Sequence, residues 1–106
     1  MATVYVNIGS AGANGKSSDA PIRKTTTVSA AAYTSSATPG YVQLNSANLV
    51  LSIGDLVEIS TNGNVVVRFD GVASATNGHR IATNDTSRPE AFLCDKDGQQ
   101  ISIVDQ

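Results

Sequence analysis

Leu56-Val57-Glu58-Ile59-Ser60-Thr61-Asn62-Gly63-Asn64-Val65-Val66-Val67-Arg68-Phe69 is the stretch whose reading decides the fold. Apolar and polar residues alternate before Asn62-Gly63 and again after it, and successive strand residues face opposite sides of a sheet. Asn-Gly supplies the two positive φ values of a type I′ turn, so the stretch predicts a hairpin. Val57 and Ile59, with Val65, Val67 and Phe69, are expected on the core side. Glu58 and Arg68 are expected to face outward on adjacent strands.

The same pattern of short apolar runs between turn residues extends from Tyr41 to the end. The further runs are Tyr41 to Leu44, Leu49 to Ile53, Arg80 to Thr83, Glu90 to Cys94 and Gln100 to Val104. Their spacing is that of an all-β sandwich or small barrel. A second hairpin is expected across Asp95-Lys96-Asp97-Gly98, ending in the strand that contains Ile101, Ile103 and Val104. Composition agrees. Val and Ile greatly outnumber Leu, Thr is abundant, and Glu occurs only at positions 58 and 90. β-branched side chains lose rotamer freedom in a helix and pack well on a pleated surface.

Before Tyr41 the chain changes character. Thr3 to Ile8 could form one short strand, but from Gly9 to Gly40 the only large apolar residues are Ile22, Val28 and Tyr33. Such a segment buries too little surface to offset the entropy of ordering it. Residues 1–40 therefore read as an extended N-terminal arm and residues 41–106 as a β-rich body, within one domain overall. Pro21 and Pro39 favour extended backbone in the arm, while Ser29-Ala30-Ala31-Ala32-Tyr33 could make one helical turn.

At 106 residues the chain has room for one core, and Val, Ile, Leu and Phe make up only about a quarter of it. A thin core without disulfides predicts an oligomer or a stable partner. The formal net charge is −2 with few cations, which argues against nucleic acid, whose binding needs clustered Lys and Arg. Cys94 is the only cysteine and reads as a small buried apolar residue. Met1 to Gly9 has no basic start and no long apolar run, so the chain reads as made in the cytoplasm with no membrane address.

Each chemical motif fails on spacing. Gly9-Ser10-Ala11-Gly12-Ala13-Asn14-Gly15-Lys16-Ser17 follows a strand as a phosphate loop would, but the gap from Gly9 to Gly15 is one residue too long and Asp19-Ala20-Pro21 follows where a helix should open. Asp95-Lys96-Asp97-Gly98 lacks the third oxygen ligand and the later Glu of a calcium loop, which leaves ordinary turn chemistry. His79 is the lone histidine and reads as an exposed loop residue. The expectation is a non-enzymatic protein with no cofactor and no metal.

The arm from Ser10 to Pro39, the compact β body ending in Ile101-Ser102-Ile103-Val104, the scarcity of Lys and Glu and the lack of an enzyme motif give the chain a family likeness. It resembles the capsid decoration, or cement, proteins of tailed bacteriophages. The resemblance implies a homo-oligomer, commonly a trimer, on the capsid exterior of the virion, with the major capsid protein as partner. In that role the arm adds a strand to a neighbour's edge. Lys16, Arg23 and Lys24 are the candidate cationic contacts, and Ile22, Val28 and Tyr33 the candidate apolar ones. The alternative is a carbohydrate-binding or adhesion module using the polar loop 74–88, against which stands the absence of Tyr, Phe and Trp from that loop.

Overall fold

The computed structural model describes the backbone of residues 1–12, 22–84 and 89–106, and the side chains of 1–9, 30–84 and 89–106. The P-loop-like residues from Ala13 to Ser17, Lys16 included, and Asp85 to Arg88 lie outside the described residues.

Among the described residues ten strands form, β1 (Thr3–Gly12), β2 (Ile22–Thr34), β3 (Gly40–Tyr41), β4 (Gln43–Leu44), β5 (Ala47–Asn48), β6 (Asp55–Thr61), β7 (Val65–Arg68), β8 (His79–Ile81), β9 (Glu90–Leu93) and β10 (Ser102–Asp105). They build two four-stranded antiparallel sheets, one in the order β2-β1-β6-β9 and the other β3-β10-β7-β8, with β4 and β5 as a separate small ribbon. The fold is all-β, and its two open sheets make it a sandwich.

The inner faces follow the period of two. Val4, Val6 and Ile8 of β1 and Val57 and Ile59 of β6 are fully buried against Val65 and Val67 of β7 and Ile103 of β10. Val42, Leu49, Leu51, Ile101 and Cys94 fill the ends of the same core. Val66 faces the other way, into a small second cluster with Ala73 and Val104. That is why Val65-Val66-Val67 is apolar without interruption: β7 is covered on both faces.

The expected division at residue 40 does not follow the packing. β1 is the second strand of its sheet, paired on one side with β2 and on the other with β6 without a break from Val4↔Thr61 to Ser10↔Asp55. Its alternating Val4, Val6 and Ile8 bring enough apolar area to belong to the core. The helical turn considered at Ser29 to Tyr33 is extended backbone in β2. There Ala31 and Tyr33 pack inward and Ala30 and Ala32 stay exposed, and this alternation outweighs the weak helix preference of alanine.

Neither expected hairpin forms. β6 and β7 lie in different sheets, so Thr61 to Asn64 is an arch over the end of the core. Both edges of β6 are taken by β1 and β9, and both edges of β7 by β10 and β8. Gly63 has no positive φ; a Cβ there would stand 2.9 Å from the Cβ of Ala2, so glycine is required for close approach. The Asn62 side chain accepts the Thr3 amide at 2.8 Å, and Asn84 accepts the Thr61 amide at 2.8 Å. The turn at Asp95 to Gly98 likewise connects β9 in one sheet to β10 in the other. Asp97 accepts the Ile53 amide at 2.7 Å and Gly98 adopts φ +89°. A two-residue hairpin turn does occur at Asn45-Ser46, both with positive φ, joining β4 to β5.

The chain ends are locked together. Ala2 and Ser35 exchange two hydrogen bonds of 2.8 Å, the Ser35 hydroxyl donates to Asp105, and the Met1 ammonium lies 2.9 Å from the same carboxylate. The Ser35 and ammonium bonds hold the Asp105 carboxyl below its usual range.

Two outcomes follow. Ile8→Ala, at a position with 1% exposure, is expected to cost about 2–5 kcal/mol in chemical denaturation, where a residue of a free arm would cost nothing. A carboxyl whose folded pKa is depressed adds stability that is present above the unfolded value near 3.9 and disappears as pH falls through the folded value. Asp105→Asn should therefore lower the thermal midpoint at neutral pH, and the gap from the parent should close as the pH is taken below about 4.

Candidate functional site: an open strand edge and an aromatic cleft

The two sheets stack with β2 over β3 on one side and β9 over β8 on the other, and each side is closed differently. On the first, Tyr33 reaches across from β2, packs on the core and sets its hydroxyl against Gly40 of β3, where any Cβ would collide with it. Burial, with a smaller contribution from the Asp105 carboxylate, raises the Tyr33 phenol pKa above its ordinary value. Tyr33 thus serves to close the sandwich and faces inward.

The other candidate contact residues within the described backbone, Ile22, Arg23, Lys24 and Val28, all lie on β2. The structure brings them onto one element, whose inner side pairs with β1. The ladder is regular from Thr3↔Thr34 to Ile8↔Ser29 and then shifts twice, so that Gly9 meets Thr27 and Ala11 meets Arg23. Val28 falls at the first irregularity, where β2 carries an extra residue. Among the described residues the outer edge of β2 has no partner strand. The other three sheet edges are short, with β3 at two residues, β8 at three and β9 at four, against thirteen for β2. From Thr25 to Thr34 that edge contains neither charge nor proline, the usual guards against strand addition.

On the opposite side the sheets gape. Phe69 after β7, His79 at the start of β8 and Phe92 in β9 converge there, with ring centroids 4.9 Å apart for Phe69–Phe92, 5.1 Å for His79–Phe92 and 6.1 Å for Phe69–His79. All three pairs are tilted, the arrangement that ring quadrupoles favour. The rings form one wall of a cleft of about 470 Å³, whose polar lining includes Arg68, Asp70, Asn77, Asp95 and Gln99. Arg68 donates from Nε to Asp70 at 2.8 Å and from Nη1 to the Val72 carbonyl at 3.4 Å. Gly71 lies against the guanidinium, where a Cβ would be 2.9 Å from Cζ. The Arg68 hydrogen bond, helped by its charge, holds the Asp70 carboxyl below the usual range. Cys94 is buried at the cleft floor, with its thiol directed to the Lys96 carbonyl at 3.1 Å and to Gln99 at 3.3 Å.

Sequence reading missed this cleft because its rings come from three separate segments of the chain. Phe92 sits in an apolar run and Phe69 ends one, and His79 begins β8 with its side chain exposed. The one local hint is Gly78, which adopts φ +146° and passes so close to β7 that a Cβ would lie 2.7 Å from Val66 Cγ1 and 2.9 Å from the Val67 carbonyl oxygen.

Compared with protein-family models, curated proteins and solved structures, the chain finds no match in any of the three.

Gly78→Ala meets both backbone strain and a clash with β7, so it should destabilise the fold by about 1–3 kcal/mol in a denaturant titration. It should also displace His79, visible as a change in the imidazole resonances of the folded variant.

Proposed function

We propose that the chain is a structural, non-enzymatic virion protein that binds the exterior of an assembled tailed-phage capsid and stabilises the shell as a homo-oligomer, a trimer being favoured. The observation that carries this reading is the open outer edge of β2, free of charge and proline from Thr25 to Thr34 and held to β1 in a ladder that is regular from Ser29 to Thr34. A neighbour's strand added there gains backbone hydrogen bonds along its length, and the rigid pairing with β1 lowers the entropy cost of presenting the edge. Arg23 and Lys24 stand at the start of the same strand and supply positive charge toward an acidic shell surface, with the coat protein as the partner.

The thin core supports the same reading, since subunit contacts add burial that a small monomer cannot provide. Function sits on the β1–β2 pair, yet β1 is also part of the core. Removing residues 2–39 would take Val4, Val6 and Ile8 with it and unfold the body, so the test must alter the edge alone.

Ala30→Lys with Ala32→Lys places two charges on exposed positions of β2 and leaves the core untouched. The variant is expected to keep its thermal midpoint, to lose co-sedimentation with expanded tailed-phage shells by about tenfold in affinity, and to show reduced oligomer mass by light scattering. Undiminished co-sedimentation of the folded variant, or no co-sedimentation of the parent, would overturn the proposal.

A further inference from the structure

We propose that the cleft between β8 and β9 is a binding site for a neutral saccharide residue, stacked on the wall of Phe69, His79 and Phe92 and hydrogen-bonded by Arg68 and Asp70. The inference is independent of the capsid reading, because this side of the sandwich is the one away from β2.

The volume of about 470 Å³ lies in the range of small-molecule sites, roughly 300–1,000 Å³. Its two kinds of lining call for a ligand with one apolar face and several hydroxyls around its rim. A pyranose has both: axial C–H groups that pack on aromatic faces, and hydroxyls that each donate and accept. Asp70 accepts from such hydroxyls, and its depressed pKa keeps it ionised at neutral pH. Arg68 still has N–H donors beyond those given to Asp70 and Val72. Its plane is fixed by those two bonds and by Gly71 lying against it, so the donor geometry is set before a ligand arrives.

Three other ligand classes fit less well. An anionic ligand meets two carboxylates, Asp70 and Asp95, against a single guanidinium already paired with one of them. A wholly apolar ligand would leave the polar lining unsatisfied. A quaternary ammonium needs rings that stand apart as a cage, whereas centroids 4.9 and 5.1 Å apart put Phe92 in contact with both other rings and leave a continuous wall.

The site also revises the loop reading. Segment 74–88 contains no Phe, Tyr or Trp, but its described residues Asn77 and His79 line the cleft beside Phe69, which follows β7, and Phe92 of β9.

The test is ligand-observed saturation-transfer and amide-shift NMR on the full chain with the methyl glycosides of glucose, mannose, galactose and N-acetylglucosamine, alongside N-acetylneuraminic acid and choline chloride. At least one neutral glycoside is expected to bind with millimolar affinity and to shift the amides of Gly78, His79 and Phe92. Asp70→Asn and His79→Ala, both at exposed side chains, should each weaken it about tenfold in variants that remain folded. Phe92→Leu, which keeps apolar volume, should remove the stacking contribution. Absence of binding by all four neutral glycosides, shifts that map elsewhere, retention of affinity in both surface variants, or stronger binding of choline or N-acetylneuraminic acid would overturn the proposal.

Discussion

The placement of β1 between β2 and β6 is the constraint on which the rest of the molecule depends. β6 can present Val57 and Ile59 to the opposite sheet only as part of a wide apolar surface, and β1 doubles that surface with Val4, Val6 and Ile8. The seven consecutive pairs from Val4↔Thr61 to Ser10↔Asp55 keep both strands in one register, so a slip of one residue would turn both sets of side chains to solvent. β2 has no such double anchorage; among the described residues its sole partner strand is β1. The open edge of β2 is therefore held to the body by the strand that also completes the core.

With so few large apolar residues, the sandwich closes its ends by crossing between sheets. The chain passes from one four-stranded sheet to the other after β2, β6, β8 and β9, and returns from β3 to β6 by way of the β4–β5 ribbon; these crossings bring backbone amides that a simple hairpin would have paired. Short polar side chains take that part. Asn62 holds the Thr3 amide, Asn64 the Thr83 amide, Asn84 the Thr61 amide and Asp97 the Ile53 amide. No buried side-chain nitrogen or oxygen among the described residues lacks a hydrogen-bond partner. The abundance of Asn and Ser in what reads as loop sequence thus has a structural use: these residues cap the arches.

The class of fold was legible because alternation is a local property, and Val57, Ile59, Val65 and Val67 face the core as their spacing requires. Strand partnership was not, because it depends on which edges are already filled. Asn62-Gly63 carries the dipeptide of a tight hairpin, yet its Asn is spent on β1 and its Gly on Ala2. The tight turn fell instead to Asn45-Ser46, whose second residue is an unusual choice for positive φ and gives little warning. Val4, Val6 and Ile8 alternate as cleanly as the strands of the body, but the Gly, Ala and Ser that follow hide them, since average composition is blind to a short buried strand. Arg23 and Lys24 could be picked out as the arm's cations, while Phe69, His79 and Phe92 meet only after three strands from two sheets are stacked.

The two sides of the sandwich differ in what they leave to solvent, and the difference comes from which aromatic closes each. Tyr33 spans the gap from β2 to Gly40 by itself, its hydroxyl reaching the β3 backbone, so one ring bridges that side, with an open recess of about 430 Å³ beside it and the long edge of β2 beyond. On the far side Phe69, His79 and Phe92 lean together, and the cleft beside them is lined by Arg68 and Asp70. A partner strand on β2 would lengthen one sheet without touching β8 or β9. The proposed assembly contact on β2 and the proposed ligand contact in the cleft would thus lie on opposite sides of one core, and neither would require a change in fold.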